Sequence, residues 1–154
     1  MPSGIVFSDP PREALPAPPF SAELLDGTPL RAADLWKERP VVLVFTASWC
    51  DPCAAVHRAA ARAVDRHGDA VALLGIVAED DREGALDYAE ELHLGHPVAV
   101  AAERVWLNYA AREPPVVVLV ARGGKVLRGW PGGVDENALS RRLTELFAGP
   151  EESD

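Results

Sequence analysis

Five consecutive apolar residues, Val41-Val42-Leu43-Val44-Phe45, run without a polar break and are followed closely by a helical pattern. A strand with no polar alternation has to be covered on both faces, which suits a largely parallel sheet with helices on each side. Beyond the run, Cys53, Val56, Ala60 and Val64 recur at helical spacing, Arg58, Arg62, Asp65 and Arg66 alternate with them, and Gly68 ends the pattern. A second buried strand is expected at Val71 to Val77, and a second helix at Arg82 to Leu92 with Leu86, Ala89 and Leu92 on its inner face. Strand, helix, strand and helix in that order place the chain in the α/β class.

The remaining pattern is compatible with one domain. Asp26-Gly27 signals a turn between short extended pieces, and Arg31 to Trp36 can form a helical turn or two before Pro40. Val98 to Val100 reads as a short extended piece, Glu103 to Ala110 as a helix, and Pro114-Pro115 as a break. Val116 to Val120 and Val126 to Trp130 flank Arg122-Gly123-Gly124, the pattern of a β-hairpin. A last helix is expected from Asp135 to Phe147, stopped by Gly149-Pro150. Residues 1–19, rich in proline from Asp9 to Pro19, read as an extended lead-in rather than core, residues 20–148 as the domain, and residues 149–154 as an acidic tail.

With 154 residues and 48% apolar content, the chain can bury an ordinary core without covalent staples. The formal net charge of -9 would repel nucleic acid and anionic lipid, so the expected partners are proteins or small molecules. The first seven residues lack a basic start and a long apolar stretch, so no leader is read there and a cytoplasmic location is expected. The alternative is an extracytoplasmic protein whose leader has been removed. No apolar run approaches the roughly 20 residues that span a bilayer, so no membrane insertion is expected.

The two cysteines, Cys50 and Cys53, are too few and too local for a disulfide framework. Cys50 falls just after the buried strand and at the start of the amphipathic helix, where unpaired backbone N–H groups and the helix dipole favour a thiolate. The thiolate is the attacking species, so Cys50 is the candidate nucleophile and Cys53, one turn in, the resolving thiol. Pro52 costs no hydrogen bond in a first turn. Alternatives are a zinc site, for which Cys50, Cys53 and His57 supply only three of four ligands, and a pair of inert buried thiols. Haem attachment would need histidine directly after Cys53, where the chain has Ala54.

The segment from Val41 to Cys53, with Thr46-Ala47-Ser48-Trp49-Cys50-Asp51-Pro52-Cys53 at its end, resembles the active-site segment of thioredoxin-like proteins, particularly the TlpA/ResA-like disulfide reductases. Pro18-Pro19-Phe20, Leu25 to Leu30 and Ala33-Asp34-Leu35 are similar to that family's N-terminal hairpin and turn. Leu74 to Val77 with Asp80 to Glu83 resembles its second strand and inserted helix, and Tyr109 to Pro115 its cis-proline loop. The resemblance implies a thioredoxin fold with a central mixed sheet, an N-terminal extension and an inserted helix. It further implies thiol–disulfide exchange on protein or small-molecule disulfides, an external thiol reductant, and no bound cofactor or metal, because electrons pass through the thiols. Pro115 becomes the cis-proline, and Trp49, Pro114 and Pro115 the substrate groove.

Two departures follow from the same comparison. The acid the family keeps near the resolving cysteine would stand at Val44 or Val56, and both are apolar. His57, four residues after Cys53, is a candidate to take over proton transfer. Pro114 occupies the position whose backbone N–H and C=O the family offers to a substrate, and proline has no N–H. Asp51, between the cysteines, opposes a thiolate by like charge or simply opens the helix. Glu79, Asp80 and Asp81 read as a solvated helix entry. Rival readings are a peroxiredoxin-type peroxidase, with Thr46 four residues before Cys50, and a redox-sensing or binding module of the same fold.

Overall fold

The computed structural model describes residue 7, residues 10–93 and residues 95–147. The expected helix stop at Gly149-Pro150 and the acidic tail lie outside the described residues. In chain order the elements are β1 (Ser21–Leu24), β2 (Pro29–Arg31), α1 (Ala32–Trp36), β3 (Val41–Phe45), α2 (Cys53–Asp65), β4 (Ala72–Ala78), α3 (Arg82–Leu92), β5 (Val98–Ala101), α4 (Glu103–Asn108), β6 (Val116–Val120), β7 (Val126–Pro131) and α5 (Glu136–Thr144).

The strands form one seven-stranded sheet in the order β2-β1-β5-β4-β3-β6-β7. β3 sits inside it, parallel to β4 and antiparallel to β6, and all five of its side chains are buried. The pleat divides them. Val41, Leu43 and Phe45 pack with Trp36, Trp106 and Val118 on one face, while Val42 and Val44 pack with Ala60 and Val64 of α2 and Leu139 and Leu143 of α5 on the other. Burying each such side chain is worth about 1.5–3 kcal/mol, so an unbroken apolar strand is the cheapest way to join two cores. Phe45 also meets Trp106 edge-on at 5.2 Å and Tyr109 at 5.6 Å.

This is a thioredoxin fold with the expected N-terminal extension and inserted helix. The inserted helix, α3, comes with a strand: β5 enters the sheet between β4 and β1, parallel to the former and antiparallel to the latter. Two expectations are corrected: the sheet is mixed rather than largely parallel, with β3–β6, β6–β7, β1–β5 and β1–β2 paired antiparallel, and the inner face of α3 does not include Leu86. Leu86 is exposed, and the inner face of α3 is made by Ala85, Tyr88 and Leu92. The small residues Gly84 and Ala85 let α3 approach closely; a Cβ on Gly84 would collide with Ser48.

The proline-rich lead-in is extended, but part of it belongs to the core. Ala17 is buried and its N–H donates to the Gly124 carbonyl at 2.7 Å, while Val126 N–H donates to Leu15 O at 2.8 Å. Tyr109 donates its hydroxyl proton to Pro18 O at 2.6 Å. These bonds tie the segment to the start of β7, because a proline-rich strand still offers carbonyls where it lacks donors.

Candidate functional site

β3 ends at Phe45, and Thr46 continues the ladder by donating its N–H to Ile76 O at 2.9 Å. The chain then turns through Trp49 and Cys50 into α2, whose N-cap is Pro52 and whose first turn has neither a side-chain cap nor an acidic residue. Cys50 and Cys53 are joined as a disulfide, with an S–S distance of 2.11 Å and Cα atoms 5.4 Å apart. Cys53 is fully buried, whereas Cys50 is partly exposed. Only one sulfur can therefore be reached from outside.

The peptide bond between Pro114 and Pro115 is cis. It brings Pro114 O to 3.6 Å from Cys50 Sγ, a carbonyl to which the thiol can donate once the disulfide is reduced. Pro115 itself is buried and its carbonyl accepts from Gly132 N at 2.8 Å, so it supports the loop from behind. Trp49 stands out at 69% exposure and, together with Pro114, lines a surface groove. Trp130 is half-buried under the Arg128 guanidinium and packs toward the α2 and α5 core.

His57 lies one turn beyond Cys53 and is fully buried. Its Nδ1 shares a hydrogen bond of 3.0 Å with the Tyr88 hydroxyl, which shares one of 2.6 Å with Thr46 Oγ1. Nε2 has no partner among the described residues. The imidazole fills the space over Gly75, where a Cβ would come within 2.7 Å of His57 Cε1, and Gly75 is the β4 partner of Val44. A titratable ring thus stands beside the strand position at which the family carries an acid. Burial pushes His57 down to about 4, with the charge of His96 a smaller cause, so it is neutral near pH 7. Burial also pushes the Tyr88 phenol up.

The solvated helix entry expected at Glu79 to Asp81 holds for the first two residues only. Asp81 is buried, and its carboxylate accepts from Ser48 N at 2.7 Å and from Ser48 Oγ at 2.5 Å. This bond pins the turn that carries Trp49 and Cys50. Sequence reasoning missed Ser48, Asp81 and Tyr88 as supports of the site; the available signal was Gly84, which leaves room for Ser48 at the start of α3. Among the described residues no group of three or more His, Cys, Asp or Glu could hold a metal ion.

A mixed sheet of this order, with a Cys-x-x-Cys pair at an uncapped helix start beside a cis-proline loop, defines a thioredoxin-fold thiol–disulfide oxidoreductase. The chain belongs to the Redoxin family, whose model matches residues 13–128. It is 24% identical over 153 residues to the thiol:disulfide interchange protein HelX of Rhodobacter capsulatus, covering 97% of this chain and 81% of that protein. The exposed lipoprotein thioredoxin Etrx1 of Streptococcus pneumoniae is similar in structure, with a TM-score of 0.72, 25% identity, and coverage of 84% of this chain and 100% of that one. A thiol-disulfide oxidoreductase of Bacteroides fragilis superposes with a TM-score of 0.71 at 26% identity, covering 84% of this chain and 98% of the other. No helix among the described residues is long and apolar enough to cross a membrane.

Proposed function

We propose that the chain is a reductase of disulfides in protein or small-molecule substrates, with Cys50 as nucleophile and Cys53 as resolving thiol. The observation that carries this reading is the asymmetry of the pair: Cys50 is reachable at the uncapped start of α2 and Cys53 is sealed behind it. The Cys50 thiolate attacks one substrate sulfur, forms a mixed disulfide and releases the other sulfur as a thiolate. Cys53 then gives up its proton and attacks Cys50 Sγ, closing the disulfide seen here and releasing the second substrate thiolate. Two electrons pass to the substrate, and its two thiolates take up two protons. An external dithiol restores the pair.

The exposed Asp51 favours the reducing direction. A strong oxidant is one whose reduced form is stabilised as a thiolate, and a carboxylate one residue from Cys50 works against that charge. Pro114 supplies the carbonyl that faces Cys50, Trp49 the outer wall, and Pro115 the shape of the loop. His57 is proposed to handle the Cys53 proton, since it lies on the same helix face and its Nε2 has no partner among the described residues; a His57→Gln variant with an unchanged pH profile for resolution removes it from the mechanism. The structural relative described as an exposed lipoprotein thioredoxin favours an extracytoplasmic place of work over the cytoplasmic one expected from the N-terminal residues.

The test combines a redox titration against glutathione with trapping. The potential is expected nearer to about −270 mV than to about −120 mV, and a value at the oxidising end would reverse the direction. Cys53→Ser should accumulate mixed disulfide with substrate, whereas Cys50→Ser should lose exchange without doing so. The opposite pattern would reverse the roles of the two thiols.

A further inference from the structure

Trp49 and Pro114, the two residues that flank the exposed sulfur, also form one end of a groove of about 640 Å³. Its wall continues to Leu107, which like Trp49 is an exposed large apolar side chain, at 57% and 69%. Part of its lining is Trp106, buried, its indole N–H without a partner among the described residues. Isolated exposed apolar residues are ordinary on a protein surface, but two that converge on one groove beside a reactive sulfur mark an interaction site.

The rim is mostly acidic. Glu79, Asp80 and Glu103 line the groove against a single cation, Arg112. Among the described residues none of these side chains takes part in an ion pair, and the pairs there involve Glu23, Asp65, Glu136 and Glu145 instead. Three carboxylates around an apolar cleft set up a negative field that a low-dielectric wall focuses rather than screens. The hollow also does not stop at Pro114. On its other side a second depression of about 440 Å³ is lined by Arg112, Glu113, Pro114 and Pro131, so the surface available to a ligand is elongated and passes Pro114, whose carbonyl lies 3.6 Å from Cys50 Sγ.

We propose that this groove binds an extended segment of a protein substrate in which an apolar side chain near the reacting cysteine is flanked by lysine or arginine. The inference rests on the reductase reading above and names the substrate class of that same site. The apolar side chain packs between Trp49 and Leu107, the cations meet Glu79, Asp80 and Glu103, and the cysteine is delivered to Cys50. Side-chain recognition of this kind stands in for the main-chain donor that Pro114 lacks.

The test uses two disulfide-looped peptides of one length, identical except that the leucine beside the cysteine is flanked by lysine in one and by glutamate in the other. Reduction of 2-hydroxyethyl disulfide by the same protein, measured alongside, reports the dithiol alone. The lysine peptide is expected to have a kcat/KM about three- to tenfold higher, as a few exposed ion pairs would give, and the preference should shrink at high salt. In the variant carrying Glu79→Gln, Asp80→Asn and Glu103→Gln, the ratio between the peptides should fall toward one. Equal rates for the two peptides, or a preference for the glutamate form, with 2-hydroxyethyl disulfide still reduced, would overturn the groove while leaving the oxidoreductase intact. If no disulfide is reduced, the reductase reading fails instead, and binding of cysteine-free versions of the two peptides, measured by calorimetry, decides the groove separately: tighter binding of the lysine form upholds it, and equal binding refutes it.

Discussion

Helices α2 and α5 pack on the same face of the sheet and share one core, yet they begin in opposite ways. α5 starts from Asp135, whose carboxylate accepts a hydrogen bond from Ala138 N at 2.8 Å, with Glu136 in its first turn. Glu136 reaches across to Arg62 and Arg66 of α2 at 2.7 and 2.6 Å, and the bond from Arg62 is the main cause that holds its carboxyl below the usual carboxylate range. α2 starts from Pro52 with no side-chain cap and no acid inside its first turn. At α5 the dipole is answered by protein carboxylates; at α2 it is left for the Cys50 sulfur. The same backbone feature serves anchoring in one helix and reactivity in the other.

The interiors differ as well, and this gives the largest expected effect. His57 sits buried in α2, held neutral with its pKa pushed down to about 4. An unfolded chain takes up a proton on this residue near its ordinary value of about 6.5, whereas the folded chain does not until near 4. The stability contributed by a neutral His57 is therefore complete above about pH 6.5 and declines by about 3 kcal/mol as the pH falls through that window. Denaturant midpoints of the protein and of His57→Gln between pH 7 and 4.5 should show a flatter slope for the variant, whatever its absolute stability. Parallel slopes would mean that the ring is charged in the folded state.

Removing the cap of α5 comes next. Asp135→Ala should cost about 0.5–2 kcal/mol in a denaturant titration and leave the exchange rate with a small disulfide unchanged, because nothing at Cys50 has moved. Conversely, giving α2 what α5 already has should alter chemistry more than stability. Ala55 is exposed in the first turn, and Ala55→Glu would place a carboxylate at the helix start, worth about 0.3–1 kcal/mol of dipole interaction. The variant should unfold no more easily but hold less Cys50 thiolate at neutral pH, slowing attack by about two- to fivefold. Stopped-flow reduction of a model disulfide reads this directly, and an unchanged rate would show that the helix start does not set the reactivity of Cys50.

The local parts of this arrangement were legible in the sequence. Val41 to Phe45, the Cys53 to Val64 pattern and the Gly123-Gly124 turn each fix an element through contacts or dihedrals only a few residues long. The phase of α3 was not legible: Leu86 and Ala89 gave a plausible apolar face, but the helix turns Ala85 and Tyr88 inward. That choice depends on the space beside Ser48 and Thr46, which lie on another element. The polar ties of the site were hidden for the same reason. Thr46 to Tyr88 spans 42 residues and Ser48 to Asp81 spans 33, and no local period reports a partner at that distance. Likewise Ala17 belongs to a lead-in that reads as extended rather than core, because proline density says how a segment is extended, not what it lies against.

Pro114 has a consequence of a different kind. A main-chain clamp is indifferent to sequence, since every peptide except at proline presents the same N–H and C=O pair to it. Here the residue facing Cys50 keeps its carbonyl, 3.6 Å from the sulfur, and has surrendered the donor. Whatever docks beside this dithiol can form only half of such a pair there. On the substrate-groove reading proposed above, this would shift the protein from a generalist, able to grip any extended strand, toward a specialist that discriminates among substrates by their side chains.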